Sequence, residues 1–287
     1  MPEWAAAQAA AAAAAGLTLT PPNANELVLD LLATHDAHSL PLRPLLRAGG
    51  LFGFSDQTIR VALSRLKRDG RVVTTARGIY ALPPGGSLLM REVEGWGAKE
   101  ARAVAWTGAW IAVADGGLDR TDRPLLRRHE RALRLRGFQG FAPGLHLRPD
   151  NLAGGTGSVR SDLMALGLAP TALVCRLDQL SADDERRARD LWDLPCLAAG
   201  YHALLDLVAS GDAALDASDA GQLAAEQAAA QALTLGRVVI RSLIRDPLLP
   251  DAMLPAADRR RLVAAVAAYQ RRAKHLWTGL LTAWTAG

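Results

Sequence analysis

The segment from Ser55 to Gly70 constrains the fold more strongly than any other part of the sequence. At about 100° per residue, its apolar residues fall on one stripe of a helix: Ile59, Ala62, Leu63 and Leu66. Ser55 is suited to cap such a helix at its start, and Gly70 is suited to end it. We therefore predict a helix from Asp56 to Asp69 whose apolar stripe packs on neighbouring elements and whose polar side faces outward.

Two further helices are predicted before this segment. The first covers Glu26–Leu32, and either Asn23 or Asn25 is suited to cap it. The second begins at the prolines of Pro41–Arg47, because proline is favoured in the first helical turn, and we expect Gly49-Gly50 to end it.

A β-hairpin is predicted directly after the third helix. The β-rich runs Arg71–Thr75 and Ile79–Leu82 are separated by a short turn that contains glycine, and Arg77 lies at its tip. Three helices followed by such a hairpin are the elements of a winged helix-turn-helix, with the hairpin as the wing. We assign this domain to residues 23–84.

The same region concentrates the positive charge of the chain. Between Ser55 and Gly78, six Arg or Lys residues face two Asp residues, a net charge of +4 that equals the formal net charge of the whole chain. A local excess of this kind is typical of a surface that meets a polyanion. We predict that double-stranded DNA is contacted by Ser55, Gln57, Thr58, Arg60, Val61, Ser64, Arg65, Lys67, Arg68 and Arg77.

These residues are expected to differ in role. Gln57 and Arg60, near the start of the helix, are expected to read base edges in the major groove. Arg65 and Arg68 are expected to hold phosphates, and Arg77 to reach a minor groove or the backbone. The alternative is that the basic helix and hairpin form an ordinary solvated surface of an α+β domain.

The chain after Pro83–Gly86 is expected to form a second domain of alternating strands and helices. Strands are predicted at Trp110–Ala114, Phe138–Phe141, Leu145–Arg148 and Ala172–Leu177, and helices at Asp122–Arg136 and Val159–Leu166. The order βαββαβ is that of a ferredoxin-like sandwich.

From Ala182 onward, Leu and Ala recur at helical spacing, which predicts helices to the end of the sequence. The fold class is thus α+β with several domains. We assign residues 1–22 to an Ala-rich disordered tail, 23–84 to the winged helix-turn-helix, 85–105 to a linker, 106–179 to the ferredoxin-like domain and 180–287 to a helical C-terminal domain.

An ordered series of short motifs resembles the PaaX family of repressors of phenylacetic acid catabolism. The motifs are Gly53-Phe54-Ser55, Ile59–Gly70, Arg77–Tyr80, Trp106–Trp110, Gly137-Phe138, Ala142–Leu145, Leu191–Leu194 with Tyr201, and Asp246–Pro250 with Leu254-Pro255. Each is weak by itself, but their common order over roughly residues 25–281 makes the resemblance specific. It implies a central domain similar to the small nuclease Cas2 and, as effector, an aryl-CoA thioester such as phenylacetyl-CoA.

We therefore expect a homodimeric transcriptional repressor that binds palindromic operator DNA and is released by an aryl-CoA thioester or an aromatic acid. Family motif positions and aromatic or polar type suggest these effector-binding residues: Trp106, Trp110, Arg176, Trp192, Tyr201 and His202. For Trp192, Tyr201 and Trp277, however, a packing role on the predicted helices is the preferred interpretation. A different class of function is an interaction scaffold whose helix-turn-helix binds protein.

Enzymatic and metal chemistry find little support in the sequence, and we expect neither a catalytic residue nor a cofactor. Asp115 follows the first strand of the Cas2-like domain, where a nuclease would place a metal-binding carboxylate, but Asp115-Gly116-Gly117 is also an ordinary turn. The six histidines show no metal-ligand spacing. The glycine-rich run Gly154–Ser158 before a helix could cradle a phosphate, although such runs are common.

Nothing in the sequence predicts a membrane or secreted protein. The run Ala5–Ala15 lacks the positive and leucine-rich regions of a signal peptide and is too short for a membrane span. Cys175 and Cys196 lack metal-ligand spacing and are expected to be reduced thiols. We expect a cytoplasmic protein.

Overall fold

Residues 24–81 form three short helices and a three-stranded sheet in the computed structural model, which describes residues 18–85 and 95–286. The elements are helix α1 (Ala24–Thr34), strand β1 (Ser39–Pro41), helix α2 (Leu42–Leu51), helix α3 (Asp56–Arg68) and strands β2 (Val73–Ala76) and β3 (Ile79–Ala81). Strand β3 lies between β1 and β2 and is antiparallel to both. The predicted helices and hairpin are present, whereas residues 1–17 of the predicted tail lie outside the described residues.

The starts of α1 and α3 follow from side-chain caps. Asn23, and not Asn25, caps α1: its Oδ1 accepts from the Glu26 backbone N–H at 3.0 Å, and Glu26 Oε2 accepts from the Asn23 N–H at 3.1 Å. This reciprocal pair satisfies two of the N–H groups that every helix leaves free at its start. Ser55 caps α3, as predicted, since its Oγ accepts from the Thr58 N–H at 3.2 Å.

The expectation that Gly49-Gly50 ends α2 is wrong, because the helix continues through both glycines to Leu51. Gly49 is buried where α2 meets α3, and a Cβ atom there would lie 2.5 Å from Ile59 Cγ1. Glycine is therefore required by the close approach of the two helices and not by a turn. Strand β1 was also not predicted. It is a three-residue edge strand, and its Pro41 occupies an edge, where a missing N–H is tolerated.

Residues 110–177 form a four-stranded antiparallel sheet with two helices. The elements are β4 (Trp110–Ala114), α4 (Arg123–Leu135), β5 (Gln139–Ala142), β6 (Leu145–Pro149), α5 (Gly155–Leu166) and β7 (Leu173–Leu177), and the strand order is β5-β6-β4-β7. This is the predicted order βαββαβ. Helix α5 begins at Gly155 and not at Val159, so the glycine-rich run forms its first turn.

The remainder is helical, as predicted from the recurrence of Leu and Ala. The helices are α6 (Ala182–Arg189), α7 (Leu194–Asp219), α8 (Ala225–Arg245) and α9 (Ala257–Ala286). The contacts of the chain group into two compact units. Among the described residues, unit 1 comprises 18–85, 203–240 and 264–286, and unit 2 comprises 95–202 and 241–263, so α7, α8 and α9 contribute residues to both units.

Unit 1 has one hydrophobic core that joins α1, α2 and α3 to parts of α8 and α9. Trp277, on α9, is buried in this core, and its Nε1 donates to the Ala229 carbonyl on α8 at 2.9 Å. Arg237, also on α8, forms ion pairs with Glu26 and Asp30 of α1. The first three helices are therefore fixed to C-terminal helices through apolar packing and partly buried charge pairs.

In unit 2, the described part of the predicted linker is held by specific contacts. Residues 96–98 and 100–102 form two 3₁₀ turns. Lys99 Nζ donates to the carbonyl oxygens of Leu243, Ile244 and Asp246 at the C-terminal end of α8, where a cation is favourable. Glu100 pairs with the buried Arg259 at 2.8 Å.

The stretch Ala182–Asp219 is long and apolar enough, by length and composition, to cross a membrane. In the structure it is divided into α6 and α7. The last part of α7 carries Asp212, Asp216 and Asp219, all of which pair with Arg272 at 2.6–3.1 Å. Ion pairs of this kind are strongly disfavoured in hydrocarbon, which argues against a membrane-spanning role for α7.

The contact between α2 and α3 predicts opposite effects for two neighbouring glycines. Gly49→Ala should lower the free energy of unfolding by about 1–3 kcal/mol, because the new methyl group overlaps Ile59. Gly50→Ala should be neutral or stabilise by about 0.5–1 kcal/mol, since nothing lies within 4 Å of its Cβ position and alanine favours the helix. Urea unfolding of the two variants tests this, and equal effects would contradict the packing described.

Candidate nucleic-acid interface and effector cavities

Helix α3 separates a buried apolar side from an exposed polar side. Ile59, Ala62, Leu63 and Leu66 are each at most 3% exposed. All ten residues predicted to contact DNA are solvent-exposed: Ser55, Gln57, Thr58, Arg60, Val61, Ser64, Arg65, Lys67, Arg68 and Arg77. The structure thus brings the α3 residues to one outward surface, and it places Arg77 in the turn between β2 and β3.

Within the part of the chain that the structure describes, four of the five cations of this surface form no ion pair. Among the described residues, no ion pair involves Arg60, Arg65, Lys67 or Arg77, and Arg68 contacts only its exposed neighbour Asp69, at 3.7 Å. An exposed pair at that distance contributes little to stability. The guanidinium and ammonium groups are therefore available to an external anion.

Two of the ten residues also have a structural role. Ser55 Oγ caps α3 and lies 2.9 Å from Thr58 Oγ1, so these hydroxyls already interact with each other. Two exposed arginines next to this surface were missed: Arg43 in the first turn of α2, and Arg71 between α3 and β2. Their charge could have identified them, but their exposure depends on tertiary packing.

The predicted effector residues divide into separate groups within unit 2. Trp106, Trp110 and Trp192 form an aromatic cluster, with ring centroids 5.2 Å apart for the edge-on pair Trp106–Trp110 and 6.2 Å apart for the stacked pair Trp110–Trp192. Trp110 Nε1 donates to Glu185 at 2.8 Å. Trp192 Nε1 is buried and has no hydrogen-bond partner among the described residues.

The other three predicted effector residues make pairwise contacts of their own. The buried Tyr201 hydroxyl donates to Asp246 at 2.7 Å. Burial is the main cause, and the neighbouring Asp246 carboxylate the second, that raises the pKa of this phenol far above its usual value. His202 is exposed beside Asp258, with His202 Nε2 3.0 Å from its carboxylate oxygen. Arg176 lies 3.4 Å from Asp150. Of the six predicted residues, Trp192 alone lines either of the two cavities described next.

Two adjoining cavities lie in unit 2. The larger, about 650 Å³, is lined by residues of α4, β5, the 191–197 segment and the end of α8, including Arg134, Trp192 and Arg245. The smaller, about 540 Å³, includes Asp115 and Arg120. Glu130, Leu133 and His146 line both. Cavities of this size hold drug-sized ligands.

Arg134 and Arg245 are the cationic residues of the larger cavity, whose lining also includes the acidic residues Glu130 and Asp193. Both side chains are exposed, and neither has an ion-pair partner within the part of the chain that the structure describes. Together with the indole of Trp192, they offer two cations and an aromatic surface. A ligand with an anionic group and an aromatic ring matches this lining.

Asp115 is held by two histidines. Its Oδ2 lies 2.9 Å from His129 Nε2 and 3.2 Å from His146 Nε2, and Asp115 and His129 are both buried. The Ala169 backbone N–H donates to His129 Nδ1 at 3.2 Å, so the proton of the neutral ring is on Nε2, which donates to Asp115. A nitrogen that carries this proton is not a metal ligand.

This arrangement argues against the nuclease alternative. Among the described residues, no group of three or more His, Cys, Asp or Glu side chains is arranged to hold a metal ion. Asp115 instead joins the end of β4 to α4 and β6 through the two histidines. A structural role for Asp115 accounts for its burial and its partners.

The glycine-rich run has an internal carboxylate beside it. Gly154 adopts a positive φ before the first turn of α5, and a Cβ at Gly155 would lie 3.6 Å from Asp150 Oδ1. The negative charge of Asp150 at a helix start disfavours the binding of a phosphate there.

Comparison with known proteins identifies related regulators. Residues 24–84 match the family model described as PaaX-like protein. The chain is 28% identical over 212 residues to the transcriptional repressor PaaX of Escherichia coli (strain K12), and the match covers 71% of this chain but only 64% of that protein, slightly under two-thirds of its length. The expected resemblance to the PaaX family is confirmed.

A solved structure extends the likeness to nearly the whole chain. The uncharacterized protein Rv0674 from Mycobacterium tuberculosis matches with a TM-score of 0.56 and 22% identity, over 92% of this chain and 99% of that chain. At this identity the match supports the overall mixed α+β fold alone.

The buried contacts of Asp115 predict that its substitution lowers the stability of the protein. We also expect that the protein does not cleave DNA. Asp115→Ala should lower the free energy of unfolding by about 1–3 kcal/mol, because the buried His129 N–H loses its acceptor. Asp115→Asn, which retains an acceptor oxygen, should cost less. Urea unfolding measures both, and the unmodified protein should leave labelled DNA intact in Mg²⁺ or Mn²⁺. Cleavage that Asp115→Ala abolishes without a change in stability would contradict this.

Proposed function

We propose that the protein, whose residues 24–84 match the family model described as PaaX-like protein, is a transcriptional repressor that binds double-stranded operator DNA. The observation that carries the proposal is the outward face of α3, whose basic and polar side chains are exposed. Among the described residues, its cations form no ion pair apart from the exposed contact of Arg68 with Asp69. A relative whose name is that of a repressor is similar over 71% of this chain. A regulatory function without catalysis is therefore proposed.

In this proposal, residues 23–84 are a winged helix-turn-helix. Helices α2 and α3 form the helix-turn-helix, and the β2–β3 hairpin is the wing. Helix α3 enters the major groove, where Arg60 can bind guanine with two hydrogen bonds and Gln57 can bind adenine in the same way. Arg65, Arg68 and Arg77 hold the backbone, which fixes the register without reading sequence.

The strand order β5-β6-β4-β7 and the order βαββαβ support a ferredoxin-like, Cas2-like assignment for residues 106–179. The operator is proposed to be a palindrome bound by a homodimer, because two copies of α3 related by a two-fold axis address two half-sites about one helical turn, or a multiple of it, apart. The protein acts in the cytoplasm, where its DNA and effector are found.

An aryl-CoA thioester such as phenylacetyl-CoA, or a related aromatic acid, is the proposed effector. The lining of the larger cavity supports this chemistry, since Trp192 offers an aromatic surface and Arg134 and Arg245 offer cations. The effector releases DNA if it binds more tightly to a dimer geometry in which the two α3 helices no longer match the half-site spacing.

Substitutions on α3 should separate base reading from phosphate binding. Arg60→Ala should cost about 1–3 kcal/mol and relax the preference at one base position, whereas Arg68→Ala should weaken all sequences alike and lower the salt slope by about 1. Fluorescence anisotropy with an operator selected from genomic fragments, and with its single-base variants, measures both effects. Binding that does not respond to salt would instead favour the interaction scaffold.

Arg245 should be required for the effector response and dispensable for DNA binding. Arg245→Gln should raise the phenylacetyl-CoA concentration needed for DNA release by roughly 10-fold to 100-fold, because a charge-assisted hydrogen bond contributes about 1.5–3 kcal/mol. The control is Arg241→Gln, which removes an exposed arginine of α8 that does not line the cavity. Titration of the effector into preformed complexes measures the shift, and equal responses of the two variants would place the effector elsewhere.

A further inference from the structure

Helix α4 in unit 2 carries a stripe of arginines on its outward side. Its buried residues, His129, Ala132, Leu133 and Leu135, face the sheet side of the unit. At about 100° per residue, the following arginines lie within roughly 80° of arc on the other side: Arg123, Arg127, Arg131 and Arg134. All four are exposed. The stripe therefore runs along nearly the whole helix, opposite the residues that anchor it.

These arginines have no carboxylate partners. No ion pair within residues 18–85 and 95–286 involves any member of the stripe, or the neighbouring Arg120 and Arg128. Residues 119–134 contain six arginines and three acidic residues. One of the three, Asp122, caps α4 by accepting from the Leu125 N–H at 3.0 Å.

On helix α6 of the same unit, by contrast, the arginines are paired with acidic residues of the same helix. Its Arg186, Arg187 and Arg189 bind Asp183, Asp184 and Glu185, each three or four residues earlier. Acidic residues occupy its first turn and arginines its last, which is the favourable arrangement for a helix dipole. The arginines of α6 are thus neutralised by acidic residues of their own helix, an arrangement that the stripe on α4 lacks.

The stripe on α4 weakens the helix that carries it. Arginines four residues apart repel each other, as in the pairs Arg123–Arg127 and Arg127–Arg131. Arg123 also lies in the first turn, where a cation opposes the helix dipole and where α4 has no acidic residue. A bound polyanion would remove both penalties.

The spacing of the stripe fits a nucleic-acid backbone. Arg123 and Arg134 are separated along the helix axis by about 16 Å, at about 1.5 Å per residue. One DNA strand rises about 3.4 Å per nucleotide along the duplex axis while it winds around that axis, so a straight stripe of this length can reach a few neighbouring phosphates. We propose that the α4 stripe is a second DNA-binding surface, which holds backbone phosphates independently of sequence. The proposal presupposes the DNA binding proposed for α3 and adds a site in a different unit.

Duplex DNA explains the stripe better than a small anion or an acidic peptide does. A small anion is held by groups that converge on one point, whereas these arginines are distributed along a convex helix face. Peptide recognition uses apolar pockets between the charges, whereas the larger cavity described above adjoins the stripe only at its last member, Arg134. A line of cations without base-reading side chains is what phosphate contacts require.

The test compares two double variants of the full-length protein that remove the same charge. Arg127→Gln with Arg131→Gln removes the two central arginines of the stripe. It spares Arg134, which also lines the larger cavity. Arg186→Gln with Arg187→Gln is the control, since it removes two exposed arginines of α6 that are paired with aspartates. Glutamine is nearly as good a helix former as arginine, so both variants should fold. Circular dichroism and thermal unfolding check this.

The measured quantity is the dependence of binding on KCl for a 40-base-pair duplex of arbitrary sequence. The slope of log Kobs against log [KCl] should become less steep by roughly 1.8 for the α4 variant, about 0.9 for each phosphate that the protein no longer neutralises, and should hardly change for the control. An α4 variant with the slope of the control overturns the proposal while leaving the function of α3 intact. If the unmodified protein does not bind DNA, both proposals fail.

Discussion

The burial of one side of α3 determines which side chains this helix presents to solvent. Ile59, Leu63 and Leu66 are almost completely removed from solvent, and each such side chain contributes about 1.5–3 kcal/mol relative to an exposed position. Rotating the helix to present another side would expose them and bury arginines. The cost of burying an unpaired guanidinium exceeds that of any other change at this site. The orientation of Arg60 and Arg65 is thus a consequence of the core, and Gly49 adds to it by letting α2 approach Ile59 closely.

The same core gives the N-terminal helices a rigid support. Trp277 and Leu281 of α9 and Ala229 of α8 belong to one cluster with the buried residues of α1 to α3. Arg237 adds ion pairs with α1. A surface that must match groove geometry gains from such support, because side chains are positioned well only when the elements beneath them are fixed. Helices α1 to α3 therefore share the hydrophobic core of unit 1 with α8 and α9.

Local signals in the sequence predicted the elements well, and long-range contacts were beyond them. The helix after Ser55 and strand β4 depend on caps, periodicity and runs of apolar residues, all of which are visible within about fifteen residues. The role of Gly49 depends on Ile59, and the pairing of Ser39 with Ala81 depends on a partner some forty residues away. For the site, exposure of all ten residues on and beside α3 followed from amphipathicity. The lining of the cavities, where Trp192 and Arg245 come together, could not be deduced from residue type.

Charge shows why a sequence count is an incomplete guide to a binding surface. The window from Ser55 to Gly78 stands out because its net charge equals that of the whole chain, which leaves the remainder neutral on average. That average conceals two opposite arrangements: the arginines of α6 are paired with acidic residues of the same helix, whereas the stripe arginines of α4 form no ion pair among the described residues. Electrostatic attraction for a polyanion depends on the local potential. A paired arginine contributes little to that potential, because the two opposite charges largely cancel at distances greater than their separation. The pairing state of each arginine, which only the fold defines, therefore decides which basic segments can bind nucleic acid.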